Sequence, residues 1–387
     1  MRHPAHVDER EKNRKVIPGH ISALDGLRAF AIIAVIFHHC GEYYLLQNSP
    51  PASLLREIVE NLGSGVDLFF ALSGFLITGI LLDSLGRPYF FGRFYWRRGL
   101  RIWPLYYTFL IAVFLVHRRV FSGIGVAPFA LYYRNFLGPD WTSDVYIGQF
   151  WSLCVEEQFY LIWPLVIYFM PKRLRMPSIV SLMFTALLLR IYLLARGVDH
   201  YRIYRLPFCH MDVLLAGAAV AVLVRQGING RTLRNICWTA VLLGVVGLVP
   251  IEATEGGTLN FLPSSFGLTC TSLLFGGIVG LCANGVGRIA GLILDSPLLR
   301  AISTRSYAMY VFHLLPLYVS VALLRRARAV PTRILPVLVL ILGIGLVTYG
   351  MAWLSWKYLE EPFLRLKKWE WFTKTPTAAS GDTSRSG

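Results

Sequence analysis

Apolar runs of membrane length recur along the chain, separated by short polar or basic segments. Ten of them fall at about 21–41, 64–83, 100–117, 149–170, 178–196, 206–226, 235–251, 262–284, 303–324 and 334–357. About 20 apolar residues in a helix cross a hydrocarbon core of ~30 Å. The pattern therefore predicts an all-α fold, a polytopic membrane helix bundle of about ten transmembrane helices. Residues 122–138 are also apolar, but Pro128, Arg134 and Asn135 interrupt them, which predicts a short interfacial or re-entrant helix. No linker, repeat or second soluble domain breaks the series. A basic tail (1–20) precedes the membrane domain (21–364). A polar tail (365–387), rich in Thr, Ser, Ala and Gly toward its end, follows it and is predicted to be disordered. Gly276 and Gly280, four apart in an apolar run, predict a close helix approach.

Composition agrees with the pattern. The 387 residues are 55% hydrophobic and 16% charged, against about 25% charged in soluble domains. The mean hydropathy is +0.53. A net charge of +16 would suggest nucleic acid in a soluble protein. Here the basic residues cluster in short loops, so topology and anionic lipid headgroups explain them and no nucleic-acid partner is expected. Arg10, Lys12, Arg14 and Lys15, the group Arg87, Arg93, Arg97, Arg98 and Arg101, the group Lys172, Arg173 and Arg175, and the group Arg225, Arg231 and Arg234 all fall on one side of an even-numbered bundle. That side, with both termini, is expected to be cytoplasmic. Arg325, Arg326, Arg328 and Arg333 fall on the other side; either the spans are miscounted there or the patch binds an anion. Residues 1–20 have no apolar core before a cleavage site, so no signal peptide is expected. The six cysteines show no ligand spacing, so neither a metal site nor a disulfide framework is expected.

Ionisable groups inside a membrane helix are functional-site candidates. Arg28 and His39 share the run from Leu24 to Cys40. Eleven residues make about three turns, which puts them on one face, roughly 16 Å apart along the axis. His38 lies about 80° off that line. Asp25, three residues before Arg28, predicts an ion pair. Arg28 alone reads equally as an anchor at the headgroups; a neutral imidazole can act as a general base. Ser73-Gly74 sits mid-span, where glycine allows close approach of a ligand or a second backbone. Arg97, Arg98 and Arg101, among Trp and Tyr, read either as interface anchors or as a phosphate clamp. In the segment QFWSLCVEEQFYLIWP, Ser152, Glu156 and Tyr160 follow at one-turn spacing, with Trp151 and Glu157 beside them. This polar stripe reads as a lined cavity or a buried ion pair. His210 with Asp212, His313 and Glu360 are weaker signals, each consistent with a satisfied polar group between helices.

Taken in order, LDGLRAFAIIAVIFHH, GVDLFFALSGFLIT, RFYWRRGLRIWPLYY, QFWSLCVEEQFYLIWP, SYAMYVFH and EEPF resemble the acyltransferase 3 family of bacterial multi-pass membrane enzymes, over residues 21 to 364. The resemblance implies that His39 is the essential base and Arg28 an essential cation. It also implies roles for Arg98 or Arg101, for Glu156 and for Glu360. His210 stands where many relatives have an arginine, which leaves the role of that cation open. The family transfers acyl groups, often acetyl, from acyl-CoA to hydroxyls of surface polysaccharides, peptidoglycan, glycolipids such as Nod factors, or macrolides. Some members carry an extra SGNH-type domain; this chain shows none and is expected to act alone or with a separate partner.

The expectation is an O-acyltransferase of the bacterial cytoplasmic (inner) membrane, surrounded by lipid. Acetyl-CoA, or another acyl-CoA, would dock by its phosphates near Arg97, Arg98 and Arg101, with Ser73 along its path. His39 would deprotonate a carbohydrate, glycolipid or macrolide hydroxyl, with Glu156 orienting His39 or an arginine. Asp25, Trp151, Ser152, Glu157, Tyr160, His313 and Glu360 would support the site. The alternatives are a transporter or flippase, for which no two-fold internal symmetry is visible, and a non-enzymatic part of a polysaccharide-assembly system.

Overall fold

The computed structural model describes residues 21–46, 54–138, 144–252, 263–331 and 333–366. The basic tail 1–20 and all but the first residues of the C-terminal tail, with the disorder expected there, lie outside the described residues. Among the described residues the regular structure is helical, with no strand. The main helices are α1 (Ser22–Tyr44), α2 (Gly65–Ser84), α3 (Phe90–Val116), α4 (Phe150–Phe169), α5 (Lys172–Ala195) and α6 (Pro207–Arg225). They continue as α7 (Gly230–Glu252), α8 (Leu268–Asn284), α9 (Pro297–Phe312), α10 (Leu314–Arg326) and α11 (Ile334–Ser355).

Eight described helices are long and apolar enough to cross a membrane, and nine if α9 and α10 count as one broken span. The 20-residue α4 has the length, but Glu156, Glu157 and Gln158 lower its hydropathy. The bundle is thus all-α and polytopic, close to the ten spans expected. Two expectations need correction. The third span begins at Phe90 rather than near residue 100, so Arg93, Arg97, Arg98 and Arg101 lie on a helix and not in a loop. The run 303–324 is not one straight span: α9 and α10 bend by 54° at His313. Pro316 is the cause, because proline has no N–H and its ring crowds the carbonyl four residues earlier, at Phe312. The segment after α3 forms short pieces, Arg118–Phe121, Ala127–Ala130 and Arg134–Phe136, rather than a span. The buried Arg134 donates there to the Leu137 and Gly138 carbonyls.

Chain direction alternates between two ends. Gly63, just before α2, lies against the His38 ring, so α2 starts at the His39 end of α1. Asp83 at the far end of α2 pairs with Arg225 at 2.7 Å, which brings the end of α6 to the Arg28 end. The loop with Arg225, Arg231 and Arg234 is therefore at the Arg28 end. The Arg325 guanidinium lies over the Tyr43 ring at 5.3 Å, so the other basic patch is at the His39 end. Its position does not come from a miscounted span.

The centre is a backbone-to-backbone crossing of α2 and α6. A side chain at Gly74 would fall on the Leu214 carbonyl oxygen, and one at Gly217 on the Ala71 carbonyl oxygen. Glycine is required at both because nothing else lets two helices touch there. Gly276 and Gly280 of α8 play the same part against Ala216 and against Cys237 with Val220. Leu242 and Val246 on α7, with Leu335, Val339, Leu342 and Leu346 on α11, leave apolar stripes exposed. Such stripes suit hydrocarbon rather than water.

Candidate active site

A cavity of about 90 Å³ opens between α1, α2, α3, α4 and α9. Its polar lining comes from Arg28, Ser73, Arg98, Arg101, Ser152, Glu156, Glu157, Tyr160, Ser306, Tyr307 and Tyr310. Three guanidinium groups thus face two carboxyls inside an apolar bundle. Each arrives by a local rule. Arg98 and Arg101 are one turn apart on α3, and Ser152, Glu156 and Tyr160 are successive turns of α4, so each set shares a face. The stripe read from the sequence is a cavity wall.

The polar groups are tied to one another. Arg28 meets Asp25 at 3.4 Å, and Ser303 of α9 donates to the same carboxylate at 3.2 Å. The Ser73 hydroxyl donates to Glu156 at 2.5 Å and lies 3.0 Å from the Tyr160 hydroxyl. The Arg98 guanidinium sits over the Tyr160 ring, 4.9 Å from its centre. Trp103 donates to Glu157 at 3.4 Å, while the other Glu157 oxygen has no partner. Glycine at 74 serves packing, not ligand approach; its neighbour Ser73 is the residue that reaches the cavity.

His39 does not line the cavity. Its ring stands 4.9 Å from that of His313, and His313 stands 5.5 Å from Tyr310, which does line it. The histidine pair therefore lies just beyond the cavity's far wall. That wall is closed by a 2.5 Å hydrogen bond between the Ser152 and Tyr310 hydroxyls. Arg28, through Asp25 and Ser303, and His39, through His313, both face α9, as their spacing on one helix face requires. Glu156 lies among the arginines and bonds Ser73; of the two partners expected for it, the structure brings it to the arginine side and not to His39.

The imidazole protons can be placed. The Nδ1 atoms of His38, His39 and His313 lie 2.8, 2.9 and 2.7 Å from the carbonyls of Val59, Val35 and Tyr310. A carbonyl only accepts, so each Nδ1 carries a proton, and in the neutral rings of His39 and His313 the Nε2 is left with a lone pair. His38 is turned away, with Nε2 3.6 Å from Glu42.

Other expected residues are not brought into the cavity. Arg97 is exposed on α3. Trp151 packs on Phe70, Tyr204 and His210. Glu360 is buried in the turn after α11 and accepts from Ser355 at 3.1 Å, with Arg101 and Arg305 as its charged neighbours. His210 lies 2.5 Å from Asp67 by Nε2, while its Nδ1 donates to the Tyr204 carbonyl. It is part of a buried packing network rather than a cavity cation.

Sequence reasoning missed Ser306, Tyr307 and Tyr310, although Ser303, Ser306, Tyr307 and Tyr310 recur at helical spacing on α9. It also missed Arg190, a lone arginine in an apolar run. Arg190 is buried, pairs with Asp212 at 2.8 Å, and donates to the carbonyls of Ser265 and Cys209. It holds α5, α6 and α8 together.

The chain is 28% identical over 403 residues to "O-acetyltransferase OatA" of Staphylococcus aureus (strain MRSA252), covering 96% of this chain and 62% of that protein. A "Putative peptidoglycan O-acetyltransferase YrhL" of Bacillus subtilis (strain 168) is 28% identical over 383 residues, covering 91% of this chain and 56% of that protein. A "Peptidoglycan O-acetyltransferase OatA" of Listeria monocytogenes is 26% identical over 326 residues, covering 78% and 49%. The chain thus spans roughly half to three fifths of the length of these relatives. No solved structure matches. The acyltransferase domain model of the acyltransferase 3 family runs through residues 21–356, across all the helices that build the cavity, and the chain belongs to that family.

Proposed function

We propose that the chain is a membrane O-acyltransferase that carries acetyl from acetyl-CoA to a hydroxyl of a cell-wall glycan, with His39 as the base. One observation carries this reading: a cavity with Arg28, Arg98 and Arg101 at one end of the bundle runs toward a histidine pair at the other. The acceptor class follows the relatives named for peptidoglycan. The basic loops at the Arg28 end argue that this end is cytoplasmic, where acyl-CoA would enter.

The guanidinium groups of Arg28, Arg98 and Arg101 meet the donor's phosphates by charge-assisted hydrogen bonds. Arg97 meets only what stays outside the cavity. Glu156 fixes Ser73 and moderates the positive charge. The thioester reaches past Tyr310, which requires the Ser152–Tyr310 wall to open. His39 Nε2 removes the acceptor's hydroxyl proton as the oxygen attacks the acyl carbon. The C–O bond forms, the C–S bond breaks, and the thiolate leaves to be protonated as CoA. Nδ1 donation to Val35 keeps Nε2 aimed as the acceptor.

The test uses membranes containing the chain, radiolabelled acetyl-CoA and purified peptidoglycan. His39→Ala is expected to reduce acetyl transfer at least ~100-fold, within the usual range for a lost general base. His38→Ala, at equal membrane levels, is expected to remain within about threefold of the parent, since general-base loss is the larger effect. Full activity in His39→Ala would remove the assignment of the base, and acetyl-CoA-independent flux of glycan would remove the enzyme reading altogether.

A further inference from the structure

His313 is almost fully buried, 1% exposed, at the bend between α9 and α10. Its Nδ1 is used by the Tyr310 carbonyl. Its Nε2 is buried with no partner. A buried lone pair without a donor is costly, and such groups in a folded protein call for an explanation. The neighbouring His39 presents the same kind of atom, an Nε2 that can only accept. A third acceptor, Oε1 of the buried Gln149, is also without a partner; the Gln149 amide donates to Val311, two residues before His313. Neutral imidazoles and a side-chain carbonyl share one requirement: each needs a ligand that brings O–H or N–H donors.

We propose that His313 reads the acceptor: its Nε2 receives a second hydroxyl of the sugar while His39 Nε2 takes the proton of the hydroxyl under attack. This rests on the acyltransferase reading and deepens it. The acceptor is then a polyol with two hydroxyl donors close enough for two imidazoles whose ring centres are 4.9 Å apart. A simple alcohol satisfies one lone pair and leaves the other buried and unpaired. His313 is a specificity-determining residue and does not take part in the bond changes. His313 keeps the helical conformation of α9, with its N–H donating to the Met309 carbonyl at 3.0 Å, so α9 itself carries the ring to this position.

The experiment uses the full chain in proteoliposomes with acetyl-CoA. The acceptors are the N-acetylglucosaminyl–N-acetylmuramic acid disaccharide and its set of monodeoxy analogues. The parent chain is expected to lose about 10- to 100-fold in kcat/KM on one analogue that still keeps the acetylated hydroxyl. His313→Phe is expected to lose a similar factor on the intact disaccharide and nothing further on that analogue. His313→Gln, which offers a carbonyl acceptor, is expected to recover part of the loss. The KM for acetyl-CoA stays unchanged in His313→Gln. If His313→Phe still shows the full deoxy penalty, or if Gln is no better than Phe at equal membrane levels, the inference is overturned while the acyltransferase reading stands. If the parent acetylates no hydroxyl acceptor, including purified peptidoglycan, both fall together.

Discussion

Gly74→Ala tests the crossing on which the cavity depends. The added methyl falls on the Leu214 carbonyl oxygen, which is backbone and cannot turn aside. Helices α2 and α6 must part, or α2 must rotate. Overpacking of this kind costs ~1–3 kcal/mol. Ser73, the adjacent residue, then loses its 2.5 Å bond to Glu156, and a hydrogen bond to a charged group contributes ~1.5–3 kcal/mol. Together the loss is about 2.5–6 kcal/mol, which lowers the melting temperature in detergent by about 3–7 °C for a chain of 387 residues. Acetyl transfer should fall more than ~10-fold, because one face of the cavity moves and each 1.36 kcal/mol is a factor of ten. The same substitution at Gly343 on α11 is the control, since a side chain there meets nothing within 4 Å. Gly343→Ala should leave both quantities unchanged or raise stability slightly, alanine being the better helix former by ~1 kcal/mol. If Gly74→Ala behaves like Gly343→Ala in melting and in rate, the two backbones do not touch and the reasoning fails.

Two further outcomes follow from buried charge. Asp212→Ala leaves the fully buried Arg190 without its carboxylate; the expected destabilisation is ~3–5 kcal/mol, read by thermal melting, with Asp212→Leu/Arg190→Met much nearer the parent. Equal melting temperatures for the single and double variants would refute it. Arg98→Lys keeps the charge but loses the planar fork over Tyr160, so KM for acetyl-CoA should rise about tenfold; an unchanged KM would take Arg98 out of the donor site.

Spans were legible wherever apolar length was uninterrupted, and lost where charge or proline intruded. The first turns of α3 were hidden because Arg93, Arg97, Arg98 and Arg101 lower the local hydropathy, although they continue one helix. The break at His313 could have been read from Pro316, whose effect falls four residues upstream. The cavity wall on α4 was visible because Ser152, Glu156 and Tyr160 keep a strict one-turn spacing. Arg28 and His39 were visible as polar groups on one helix face. Their true relation was not: spacing says that two residues share a face and not what stands across from it. Here Ser303 and His313 do, ten residues apart on a helix that runs alongside α1. Residues such as Asp67 and His210 gave no signal of their partnership, since 143 positions separate them.

The separation of Arg28 from His39 has a physical reason if donor and acceptor come from opposite sides. A continuous polar channel between them would conduct water and protons, and buried charge lining it would lower the barrier further. Among the described residues the bundle instead has two polar groups of side chains with a wall between them. The first holds Arg28, Arg98, Arg101, Glu156 and Glu157 in the cavity. The second is the ring pair His39 and His313, 4.9 Å apart. The wall is made of Tyr310, Phe69 and Ser152, with Phe69 packed edge-on against Tyr310 at 6.1 Å. The Ser152–Tyr310 bond links α4 to α9, and Tyr310 lies within one turn of the bend at His313. Tyr310 and His313 are held to each other, because the Tyr310 carbonyl accepts from the His313 ring at 2.7 Å. One stretch of α9, Tyr310 to His313, thus supplies both the hydroxyl that closes the wall and the ring that faces His39, and the chain bends only beyond it.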